Sequence, residues 1–154
     1  MSSRTGWLFL DVDGVLIPFG DSAIAPHCAD NLCLIMREMP GLGLVISSTW
    51  RFPPLVRLLK IWRQAGLSQT WISGCTPDLA GSPGQVPDTL RGSEIRHWLD
   101  ERAQADEAYA IIDDQTDEIR PCFPASVIFR CNPQVGITRD HALAIVRLLR
   151  GTGR

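Results

Sequence analysis

Three short apolar runs, each closed by acids or hydroxyls, limit what this chain can fold into more than any other feature. Residues 7–11 read WLFLD, residues 42–47 read LGLVIS, and residues 108–112 read AYAII just before Asp113 and Asp114. Such runs have the length of strands. Apolar throughout, they need cover on both faces, as in a parallel sheet. Shorter strands are expected over 69–73 and 126–130. Between the runs lie segments with helical spacing. Pro26 opens a helix over 26–38, with Leu32, Ile35, Met36 and Met39 in phase, and Pro40 and Gly41 end it. Pro53 and Pro54 open a second, with Leu55, Leu58, Leu59 and Trp62 on one face and Gly66 as its stop. A third covers 92–104 on Ile95, Trp98 and Leu99, and Thr138 caps a last one over 139–150. Residues 14–21 form a tight flap and residues 74–90 a loop. The alternation predicts an α/β fold of three layers, a Rossmann-like, doubly wound parallel sheet of about five strands. With no internal repeat, residues 1–154 are expected to form a single domain.

Composition narrows the function classes. Net charge is −2, so no global field draws in nucleic acid or an anionic membrane. Arginine supplies almost all the positive charge, and Lys60 is the one lysine. The five cysteines include no CxxC pair, which argues against a disulfide framework and a zinc site and for free thiols in a reducing compartment. No apolar stretch reaches 18 residues. The expectation is a cytoplasmic protein with no membrane partner.

In an open parallel sheet, ligands bind beyond the carboxyl ends of the strands. The first strand ends in Asp11-Val12-Asp13-Gly14, the second in Ser47-Ser48-Thr49, the fourth in Asp113-Asp114. Four carboxylates and three hydroxyls therefore meet at one sheet edge. Clustered acids repel unless a cation sits among them, and an all-oxygen set suits Mg²⁺.

With these residues in place, the chain resembles the haloacid dehalogenase (HAD) superfamily. DVDGV after an apolar strand is similar to its first motif, LVISS to its second and AIIDD to its fourth, in the family's order. The resemblance implies a phosphatase that works through an aspartyl-phosphate. Asp11 would be the nucleophile, and Asp13 the acid and base. Ser47 or Ser48 would hold the phosphoryl group. The metal would be held by Asp11, the Asp13 backbone carbonyl and Asp114, with Asp113 a ligand or a support. An acid two residues after the nucleophile is the phosphatase pattern of that superfamily. The third motif, usually a lysine, departs from it: Lys60 comes too early, and Arg91 stands where the cation is expected. The gaps from Gly14 to Ser47 and from Thr49 to Arg91 are too short for a substantial cap domain, which implies an open site suited to a phosphate displayed on a large molecule.

The Ser-Ser-Thr-Trp-Arg stretch and the Arg-Gly-x-x-Ile-x-x-Trp-Leu helix start resemble phosphatase domains of nucleic-acid end-repair enzymes, so the substrate would be a phosphomonoester, with a nucleic-acid end among the candidates. Arg51 is either a phosphate contact or a solvated surface residue, and Trp50 either core or a stacking surface. The competing function is a non-catalytic or weakly active binding module on the same fold, left open by the missing lysine. A response-regulator receiver fails on placement, since its acceptor aspartate would follow the third strand, which here ends Ile72-Ser73-Gly74.

Overall fold

The computed structural model describes residues 5–51, 55–102 and 106–151. Five strands, β1 (Gly6–Leu10), β2 (Leu42–Ile46), β3 (Ile72–Cys75), β4 (Tyr109–Asp113) and β5 (Ile128–Arg130), form one sheet in the order β3-β2-β1-β4-β5. Every pairing is parallel. Among the described residues, four α-helices connect or follow them: α1 (Pro26–Glu38), α2 (Val56–Gln64), α3 (Leu90–Arg102) and α4 (Arg139–Gly151). The chain winds outward from β1 to β3, then returns to the other side of β1 with β4. The strand order thus reverses between β1 and β4, where open α/β sheets place their ligands.

Side-chain alternation sorts the core into two layers. Leu8 and Leu10 of β1 join Leu44, Ile46, Ala110 and Ile112 under α1, α2 and α4. Trp7 and Phe9 face the other way, with Val45 and Ile111, against Ile95, Trp98 and Leu99 of α3 and against Ile119 and Phe123. These two faces explain why β1, β2 and the inner part of β4 are apolar at every position.

Local signals act as their chemistry requires. Pro26 occupies the start of α1. Gly66, at φ +77°, follows the end of α2. The Thr138 hydroxyl accepts the His141 N–H at the start of α4. The expected proline start of α2 falls on residues outside those described. Its expected apolar face is corrected: Leu58, Ile61 and Trp62 are buried, whereas Leu55 is 41% exposed. Residues 69–71 and 125–127 form 3-10 turns, so β3 and β5 begin later than their sequence patterns suggest. The five cysteines are free thiols.

No second folded unit covers the strand ends among the described residues. Between Gly14 and Ser47 the chain makes short turns, α1 and β2, and from Thr49 to Arg91 its described part makes α2, β3, short turns and the start of α3. The turn after β1 is firmly packed: Val12 O accepts the N–H groups of Val15, Leu16 and Ile17, and Val15, Leu16 and Ile17 are buried.

Candidate active site

The sheet ladder runs one residue beyond each central strand and fixes the site's backbone. Asp11 N–H donates to Ile112 O at 3.2 Å, and Ser47 N–H donates to Leu10 O at 3.0 Å. Asp113 is the last residue of β4, and Asp114 follows it. The carboxylates of Asp11, Asp113 and Asp114 consequently gather at the switch point, with one oxygen of each lying within 4.8 Å of the others. All three residues are buried. Asp13 projects outward and is exposed.

Arg91 supplies the local positive charge. Its Nη1 lies 2.7 Å from Asp113 Oδ2 and 3.7 Å from Asp11 Oδ2. Burial works against the guanidinium's charge, but Asp113 and then Asp11 outweigh it and raise its pKa above the usual value. Lys60 is exposed on α2. Asp113 is fully engaged, since its other oxygen accepts the Gln115 N–H at 2.9 Å. Arg91 is only partly exposed because Gly92 lets α3 approach the segment after β4. A Cβ at Gly92 would lie 2.7 Å from both Glu118 O and Cys122 Sγ.

One cationic side chain does not balance these acids. Burial raises the Asp11 pKa well above its ordinary value, and the charge of Asp113 and the hydrogen bond with Asp114 add to it; Arg91 offsets this only in part. Burial also raises Asp113, against the pull of Arg91. Buried carboxylates with hard oxygen donors and a deficit of positive charge fit a divalent cation. The cluster can hold one through Asp11 and Asp114, with Asp113 beside them.

Asp11 and Asp114 of the cluster line a cavity of about 600 Å³ together with Asp13, Phe19, Thr49, Asp88 and Arg91 and, beyond them, Gln115, Asp117 and Glu118. Asp117 sits exposed in a turn. The two serines after β2 differ. The Ser48 hydroxyl accepts the Trp50 N–H at 3.0 Å. The Ser47 hydroxyl is buried and has no hydrogen-bond partner among the described residues.

A family model described as the HAD domain in Swiss Army Knife RNA repair proteins matches residues 7–142. The chain belongs to this HAD family. Comparison with curated proteins gave no match. The matched span of this HAD domain contains all the residues named above, from Asp11 to Asp114.

Two expectations for this HAD domain change with the structure. Arg51 is not a solvated residue, and its guanidinium is engaged within the protein. Its Nη2 sits 3.0 and 2.9 Å from the two Glu94 oxygens, while Nη1 donates to the carbonyls of Ser47 and Ser48. Glu94, 2% exposed, also accepts the Leu79 N–H. Sequence pattern missed Glu94 because it lies one position from Ile95 on the inner face of α3; an acid beside that face was the available signal. Trp50 is not a bare stacking surface. Its indole N–H donates to Asp13 Oδ2 at 2.9 Å, and the Arg57 guanidinium lies 4.0 Å from its ring centroid. Among the described residues, no helix is long and apolar enough to cross a membrane.

Proposed function

We propose that this protein is a Mg²⁺-dependent phosphatase that hydrolyses a phosphomonoester carried on a nucleic-acid end, through an aspartyl-phosphate at Asp11. The observation behind the reading is the meeting of Asp11, Asp113, Asp114 and Arg91 beside an open cavity that Asp11, Asp13, Asp114 and Arg91 line. The family's description as a domain of RNA repair proteins supports the substrate class. An open site also admits a polymer end.

Asp11 is the nucleophile. Its carboxylate oxygen attacks phosphorus as the bond to the leaving oxygen breaks, and Asp13 gives that oxygen a proton. Asp13, now a carboxylate, takes a proton from water whose oxygen attacks the same phosphorus. The Asp11–phosphorus bond breaks, and inorganic phosphate leaves. Ser47, whose buried hydroxyl has no partner among the described residues, is the phosphoryl contact; Ser48 serves the turn. Arg91 holds Asp11 and Asp113 in place and faces the phosphoryl oxygens, in the role a lysine takes elsewhere in the superfamily. Asp11, the Asp13 carbonyl and Asp114 would hold Mg²⁺, which would supply charge to offset repulsion between nucleophile and phosphate.

The test is phosphate release from an aryl phosphate and from a 3′- or 5′-phosphorylated oligonucleotide, with and without chelator. Wild type should require Mg²⁺, Asp11→Asn should be inert, and the oligonucleotide should be preferred over small sugar phosphates. A wild type that binds Mg²⁺ yet releases no phosphate from any of these would place the chain among non-catalytic binding modules.

A further inference from the structure

We infer that Trp50 is a positioning residue for Asp13, aiming its proton at the leaving group; the inference rests on the phosphatase reading above. Asp13 is exposed, and the Trp50 indole N–H is the side-chain hydrogen bond that the described residues give its carboxylate. An exposed aspartate without such a tie samples several rotamers. An indole N–H can only donate, so the oxygen it holds serves as an acceptor. Oδ2 is thereby committed to Trp50, and Oδ1 is the oxygen left to carry the proton. In the first step the Oδ1–H bond breaks toward the leaving oxygen as that oxygen parts from phosphorus. In the second step Oδ1 receives the proton of the attacking water. Trp50 holds the same oxygen in both steps and exchanges no proton itself.

Trp50 is suited to this by how firmly it is placed. Its backbone N–H is tied to the Ser48 hydroxyl, Arg57 lies over its ring, and it packs against the core. The adjacent carbonyls of Ser47 and Ser48 are held by Arg51, which is locked in turn on Glu94. The turn that carries the indole is therefore preorganised from both sides. A phenylalanine at position 50 would keep an aromatic ring there and remove the donor, and any loss of packing would act on both substrates alike.

The reading separates from a structural role by leaving-group dependence. A poor leaving group needs the proton, whereas 4-nitrophenolate does not. The experiment measures kcat and KM for wild type, Trp50→Phe, Asp13→Asn and the double variant, on 4-nitrophenyl phosphate and on an alkyl phosphate. Trp50→Phe should lose about tenfold in kcat on the alkyl substrate, a part of the ~10²–10⁴-fold that acid–base catalysis supplies, and less than about twofold on the aryl one, with KM little changed. The double variant should be no worse than Asp13→Asn, because both act through one group. The aryl-to-alkyl ratio is independent of how much of a variant is folded. Equal losses on both substrates, or losses that multiply in the double variant, would overturn the inference while leaving the phosphatase reading intact. A wild type inert on both substrates and on the phosphorylated oligonucleotide would overturn both.

Discussion

A Cβ at position 14 would lie 2.6 Å from Cγ and Oδ2 of Asp114, and the backbone there has φ +79°. Two independent costs therefore meet in Gly14→Ala: a left-handed conformation, about 1–2 kcal/mol for an L-residue, and displacement of a buried carboxylate. The expected outcome is a loss of about that size in a denaturant titration, together with weaker Mg²⁺ binding by calorimetry. A change confined to stability would mean that Asp114 can shift without loosening the metal site. The sequence made Gly14 legible as a turn, but not as the residue whose missing side chain makes room for Asp114, because that contact joins positions 100 residues apart. The two serines show the same limit. Both follow an apolar run, and only the fold reveals that the Ser48 hydroxyl is occupied by the Trp50 amide while Ser47 has no partner among the described residues.

At the scale of elements, Arg51 and Glu94 clip the turn after β2 to α3, the helix that begins next to Arg91. Their side chains are 6% and 3% exposed. Removing one partner of such a pair leaves a buried charge alone, which costs about 3–5 kcal/mol. Glu94→Gln and Arg51→Met should each lower the denaturant midpoint strongly, and the double variant should lose much less than the sum. Additive losses would show that the two side chains act independently. Helix positions were readable from proline, glycine and apolar spacing, and Ile95, Trp98 and Leu99 pack as that spacing requires. On α2, Leu58 and Trp62 are buried as the spacing predicts, whereas Leu55, apolar and in phase, stands outside the core. A clip between two polar residues leaves no periodic trace, so spacing could not disclose it.

Across the whole molecule, the fold was readable because buried parallel strands must be apolar on both faces, and the switch point then collects whatever follows them. Collecting acids there has a thermodynamic consequence. Folding raises the pKa of Asp11 and Asp113 above the ordinary value of 3.8, so the folded state binds their protons more tightly than the unfolded state does. The stability this gives is complete below pH 3.8 and is lost as the pH rises above it. In metal-free buffer, Asp11→Asn should be more stable than wild type at pH 7 and close to it at pH 4, by thermal unfolding. Mg²⁺ should remove most of the difference at pH 7. An advantage of Asp11→Asn that does not vary with pH would mean that ionisation of Asp11 is not its source.

No folded unit spans the strand ends among the described residues, so on the proposed reading the phosphorylated Asp11 would face bulk solvent. A covalent intermediate in a sealed pocket is reserved for the one acceptor admitted to it. An intermediate open to solvent is partitioned by abundance, and water stands at far higher concentration than any metabolite alcohol. Such chemistry runs as hydrolysis and not as transfer, unless an added alcohol such as methanol or glycerol is raised to molar levels and begins to share the phosphoryl group.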